Sequence, residues 1–110
     1  MFCDSLVHVD SVRLSGLLVC ANRKQADLVT QHLPLHILLT REEPGCMSFS
    51  VTATDDPLVW RVEEQFENFA VFKKHQERAG NSEWGQMTAN IERRYTIVGH
   101  TQIALNEPSP

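Results

Sequence analysis

The sequence predicts an α+β domain of ferredoxin-like βαββαβ order, with a four-stranded antiparallel sheet. Three observations carry that expectation. Apolar and small polar residues alternate strictly from Met47 to Ala53, two amphipathic segments each open on an asparagine, and a last period-two run extends from Ile91 to Ile97. At 110 residues the chain has room for one such unit. Its 42% hydrophobic and 22% charged residues exclude a disordered or collagen-like chain. A domain this short has a thin core, so a partner subunit is a natural remedy.

The first strand is expected from Val12 to Cys20, with Val12, Leu14, Gly16, Leu18 and Cys20 on one side. Asn22 followed by Gln25 is a capping-box variant that opens a helix. Ala26, Leu28, Val29 and Leu33 give the helix its apolar stripe. Pro34 is expected to kink or restart it, with Leu35, Leu38 and Leu39 continuing the buried face. Glu43-Pro44-Gly45-Cys46 then stops it, since proline suits the first turn position and Gly45 can take a positive φ. Met47, Phe49, Val51 and Ala53 form one face of the second strand. Thr54 to Pro57 is a turn, and Leu58, Trp60, Val62, Glu64 and Phe66 share a face of the returning strand. Asn68 caps a second helix bearing Phe69, Phe72 and His75 or Gln76, ended by Gly80. Asn81 to Gly85 reads as a turn or 3₁₀ piece. Ile91, Arg93, Tyr95 and Ile97 form one side of the fourth strand. Residues 12–98 make the domain, flanked by extensions 1–11 and 99–110. Within the second extension, His100 to Leu105 could pair as an extra strand before the prolines that close the chain.

Several function classes drop out. Ten Lys+Arg against fourteen Asp+Glu give net charge −4, the wrong sign for a nucleic-acid partner. The longest mostly apolar stretch, Leu33 to Leu39, is far short of the ~20 residues that span a bilayer. The N-terminus lacks a basic flank and an apolar run, so no signal peptide is expected. Three cysteines without CxxC spacing suit free thiols and a cytoplasmic location. His32 and His36 are four apart, but Pro34 lies between them and no H-E-x-x-H accompanies them, so no metal site is expected. Gly-rich nucleotide-binding motifs are absent.

Glu64 is the most informative residue. Strand parity places it with Trp60 and Val62, facing the helices, where an ionised carboxylate needs a partner or its pKa rises. Arg93 has matching parity on the last strand and is the candidate partner. Two readings stand: a structural ion pair, or the charged end of a substrate pocket. His75 is either a core histidine or a proton shuttle beside that carboxylate, and His36 carries the same alternatives. Phe49, Trp60, Phe66, Phe69, Phe72, Trp84 and Tyr95 fall around one layer, as core or as a slot for a planar ring.

Thr40-Arg-Glu-Glu-Pro-Gly-Cys-Met-Ser-Phe-Ser-Val51 resembles the R-x-E-P-G-C-x-x-[FY] passage of the antibiotic biosynthesis monooxygenase family, which includes quinol monooxygenases. Val62-Glu-Glu64-Gln-Phe66 resembles its E-x-[WYF] strand end, and Phe69 to His75 its helix ending in a-[FL]-x-x-H. The resemblance covers Val12 to Val98. It implies a dimeric α+β barrel, in which two sheets pack together and cover Leu17, Val19, Val59 and Val98. It also implies oxygenation of electron-rich phenols or quinols without a cofactor, the substrate carbanion reducing dioxygen. Arg13 and Leu14 stand where haem-degrading relatives place an asparagine, which argues against haem degradation.

The expected function is therefore a cofactor-independent monooxygenase acting on a small quinol or polyketide-like phenol. Glu64 and His75 would deprotonate the substrate and Arg93 would hold the anion, with His36, Phe49, Trp60, Phe72, Trp84 and Tyr95 around the ring. The alternatives are a non-catalytic ligand-binding or stress-related dimer, and an isomerase or lyase using the same pair.

Overall fold

Each helix begins where a side chain replaces a missing backbone partner. In the computed structural model, which describes residues 10–99, Asn22 opens helix α1 (Arg23–Arg41) by accepting the Gln25 N–H at 3.0 Å. The Gln25 side chain reaches back to the Ala21 N–H at 2.7 Å, so two orphan donors are satisfied reciprocally. Asn68 does the same for α2 (Phe69–Asn81) through the Val71 N–H. Ser82 caps α3 (Glu83–Met87), a short helix where a turn or 3₁₀ piece was expected.

The strands are β1 (Val12–Val19), β2 (Cys46–Ala53), β3 (Val59–Phe66) and β4 (Glu92–Gly99). They pair in the order β2-β3-β1-β4, antiparallel throughout, which is the ferredoxin-like arrangement the sequence predicts. Most of the extensions, including the expected strand at His100 to Leu105, lies outside the described residues. One face of the sheet carries Val12, Leu14, Leu18, Val51, Val62, Phe66 and Ile97 into a core with Val29, Leu33 and Phe72 from the helices.

Two local readings differ from this arrangement. A bulge between Cys46 and Ser48 breaks the alternation of β2, so Cys46 pairs with Phe66 and packs on the core while Met47 is exposed. The buried line of α1 is Ala26, Val29, Leu33, His36 and Thr40, spaced three and four apart. Leu35, Leu38 and Leu39 fall off that line and are exposed. Pro34 sits inside the helix without ending it, on its exposed side.

Gly16 in β1 pairs with Val62 on one side and Tyr95 on the other, at a φ of 152°. A Cβ there would stand 2.1 Å from the Arg94 carbonyl oxygen. Glycine thus lets β4 approach closely enough to bring Tyr95 over the core. Gly16→Ala is expected to cost about 2–4 kcal/mol through this overlap, read from the denaturant midpoint. A loss below about 0.5 kcal/mol would mean that β4 lies elsewhere.

Candidate active site

The buried polar groups gather on the helix side of the sheet. Parity on β3 carries Glu64 inward with Val62 and Phe66, and its side chain is almost wholly enclosed. The second turn of α2 lays His75 over it, 1% exposed, with its ring 4.9 Å from that of Phe66. The His75 Nε2 atom faces Glu64 Oε1 at 3.8 Å, and neither has a hydrogen-bond partner among the described residues. On the other edge of the ring, Nδ1 lies 2.9 Å from Glu43 Oε1. Glu43 belongs to the loop between α1 and β2, and its second oxygen accepts from Arg78 Nε of α2. Arg78 also donates to the Thr40 hydroxyl at 2.9 Å.

His36 enters from α1, its ring stacked on the Trp84 indole of α3 at 4.6 Å and 6°. It stands edge-on to Phe49 at 5.3 Å, and its Nδ1 has no partner among the described residues. Residues of three strands and three helices thus meet around one chamber. His36, Phe49, Val51, Val62, Glu64, His75, Trp84 and Tyr95 line it, and it encloses about 10 Å³. That is close to the room one water molecule needs. A larger space of about 290 Å³ lies outside, between α1 and the α2–α3 junction, with Leu35, Leu39, Arg78 and Glu83 in its walls. His36 and Trp84 line both spaces, so their stack stands between groove and chamber.

Burial sets the protonation states. It pushes the Glu64 carboxyl up to about 8, with the Glu43 charge adding to the rise and Arg93 opposing it. His36 is pushed down to about 3 by burial, helped by the charges of His75, Arg78 and Arg93. Burial lowers His75 as well, against the pull of Glu43. Near neutral pH the chamber therefore holds a protonated acid facing a neutral imidazole, an arrangement of two titratable groups pushed apart by their environments. Tyr95 is raised by burial and stays a phenol.

The expected site residues divide accordingly. Glu64, His75, His36, Phe49, Trp84 and Tyr95 converge on the chamber. Arg93 donates to the Thr88 and Ile91 carbonyls at 2.8 and 3.0 Å and to the Thr88 hydroxyl, and its charge reaches Glu64 from there. Phe72 packs on Phe66 and Phe69 as core, and Trp60 packs at the core's edge; neither lines the chamber. Glu43 is the contact to His75 missing from the strand-and-helix reading. Its signal in the sequence was a carboxylate inside the E-P-G-C turn, where periodicity gives no direction. Among the described residues no cluster of three or more His, Cys, Asp or Glu is placed to hold a metal ion, and no helix is long and apolar enough to cross a membrane.

The ferredoxin-like sheet with its helices on one face places the chain in a class that it matches in both sequence and shape. The chain belongs to the antibiotic biosynthesis monooxygenase family, whose sequence profile matches residues 21–85. A Nitrosomonas europaea protein assigned to antibiotic biosynthesis monooxygenases superposes with a TM-score of 0.67 at 19% identity, over 81% of this chain and 96% of that one. One from Caulobacter crescentus, of the same assignment, gives 0.58 at 18% identity, over 89% and 94%. A conserved Bacteroides thetaiotaomicron protein of unknown function gives 0.69 at 15% identity, over 83% and 98%. At these identities the likeness shows the fold. No curated protein matches the chain by sequence.

Proposed function

We propose that the chain is a cofactor-independent monooxygenase acting on a small electron-rich aromatic, a quinol or a polyketide-like phenol. The observation that carries this reading is the pair of unpartnered atoms, Glu64 Oε1 and His75 Nε2, buried 3.8 Å apart at the wall of the chamber. Buried polar groups without partners cost about 1–3 kcal/mol each. A substrate hydroxyl between them would relieve that cost, donating to Nε2 and accepting from the protonated Glu64. Transfer of the hydroxyl proton to Nε2 makes the ring electron-rich enough to reduce dioxygen. One oxygen atom then enters the ring and the other leaves as water, and a quinol supplies all four electrons as it becomes a hydroxyquinone. Arg93, already charged beside Glu64 and Tyr95, would steady the anion.

The chamber is too small for the ring, since a benzene-sized ligand fills about 150 Å³. The 290 Å³ groove is large enough. In this reading the substrate docks there, and the Trp84 indole leaves its stack on His36 to admit the reactive edge. The chain would act as a homodimer through the open sheet face, where Val98 is exposed and Leu17, Val19 and Val59 are partly so. The nearly filled interior favours a second reading, in which the groove holds a small ligand without turnover. An isomerase or lyase would use the same acid–base pair without oxygen.

Oxygen uptake with a panel of naphthohydroquinones and anthrones separates these readings. The expected result is saturable uptake, with one oxygen atom recovered in the aromatic product when ¹⁸O₂ is supplied. Saturable binding followed by Trp84 fluorescence in a Trp60→Phe background, with no uptake and no product, would overturn the oxygenase reading in favour of the second. Product formed under nitrogen would favour the third.

A further inference from the structure

The E-P-G-C turn holds more than a chain reversal. Gly45 has a φ of 91°, and a Cβ there would stand 2.7 and 2.8 Å from the two γ carbons of Val71. The loop therefore lies directly against the first turn of α2. Val71, His75 and Arg78 follow at i, i+4 and i+7, on one face of that helix. Backbone bonds fix the loop on both sides of Glu43: its N–H donates to the Thr40 carbonyl at 3.0 Å, and the Cys46 N–H donates to its carbonyl at 3.1 Å. The Gly45 carbonyl accepts from the Glu67 N–H at 2.9 Å. Glu43 is thus delivered to His75 and Arg78 by a built turn, and its side chain is 17% exposed.

We infer that Glu43 is the positioning residue of the site, holding His75 in the tautomer that carries its hydrogen on Nδ1 and leaves the Nε2 lone pair turned to Glu64 and the chamber. Donors and acceptors fix the assignment. Arg78 Nε can only donate, so the Glu43 oxygen it meets accepts. The other carboxylate oxygen likewise accepts from Nδ1 at 2.9 Å. With the ring hydrogen committed there, Nε2 is the atom able to take a proton. When it does, the positive ring lies against the carboxylate, and no proton needs to pass to Glu43. The groups facing the ring are Glu43 from the loop, Glu64 from β3, His36 from α1 and Arg78 from its own helix, with Arg93 and Tyr95 behind Glu64 on β4. Of these, Glu43 is the one that bonds to Nδ1.

The inference rests on the proton-transfer role proposed for His75, but its first readout does not. Glu43→Gln offers Arg78 a single oxygen; once Arg78 claims it, the amide N–H₂ faces Nδ1, and the ring hydrogen must move to Nε2. Long-range ¹H–¹⁵N spectra of the full chain, labelled at histidine, read the tautomer directly. The wild type is expected to show Nδ1–H at His75, and E43Q to show Nε2–H. In the quinol assay kcat should fall at least about tenfold with KM within about twofold, while the thermal midpoint shows that E43Q is folded. Two results overturn the inference: an Nδ1–H signature in E43Q, or a switched tautomer with kcat unchanged. Should the wild type turn over no quinol, a switched tautomer still supports the positioning, and it is the oxygenase reading that fails.

Discussion

His75→Ala is expected to lower kcat by about 10²–10⁴-fold, the range typical of a lost general base, in the same oxygen-uptake assay. The neutral imidazole is the one group at the chamber with an unpartnered basic nitrogen facing a protonated acid. Glu64 cannot substitute for it, because a carboxyl pushed up to about 8 holds its own proton at neutral pH. His36, pushed down to about 3 by burial and by the charges of His75, Arg78 and Arg93, is a poor acceptor for the substrate proton. The substitution also removes a fully buried ring packed against Phe66, Phe49 and His36. It should therefore cost about 2–4 kcal/mol of stability through the cavity left behind. Added imidazole separates the two effects. It can enter the vacated space and restore proton transfer, so a rise of about tenfold or more in the variant's rate marks a chemical role. Equal rates in the wild type and His75→Ala would end that role altogether.

What the sequence disclosed follows from where periodicity has meaning. Glu64 and His75 sit inside regular elements, so counting by two on β3 and by three and four on α2 placed both against the core. The same counting failed at β2, because a bulge adds one residue that no alternation reveals, and Met47 exchanged places with Cys46. It also misplaced Leu35, Leu38 and Leu39, where an unbroken apolar run hides which line is buried. Trp84 owes its place to α3, five residues too short to show a period. Glu43 lies in a turn, where direction comes from the φ of Gly45 and the backbone bonds around it. The pairing of Arg93 with Thr88 was equally out of view, since it depends on the path of the segment between α3 and β4.

Raising the pH from 6.5 to 8 is expected to destabilise the wild type by about 1 kcal/mol, and Glu64→Gln should abolish that loss. The folded carboxyl titrates at about 8, whereas an unfolded one titrates near its ordinary 4.5. Between those values the folded state holds one more proton than the unfolded state, so stability falls as pH rises, by about 1.4 kcal/mol per unit. His36 and His75 act in the opposite sense. Both are lowered by burial, so their contribution is present above pH 6.5 and declines as the solution becomes more acidic. They offset Glu64 below 6.5, still cancel part of its effect just above it, and leave Glu64 the larger influence up to pH 8. About 1 kcal/mol corresponds to roughly 5 °C in the midpoint of a domain this size. The Gln side chain matches the neutral acid in shape and has no charge to bury. Its melting midpoint should rise slightly across that window, as the two histidines dictate, and exceed the wild type's at pH 8. A wild-type midpoint that holds steady from 6.5 to 8 would place the Glu64 carboxylate in contact with solvent or a counter-charge. The protonated acid facing His75, and with it the proton donor of the proposed reaction, would then be lost.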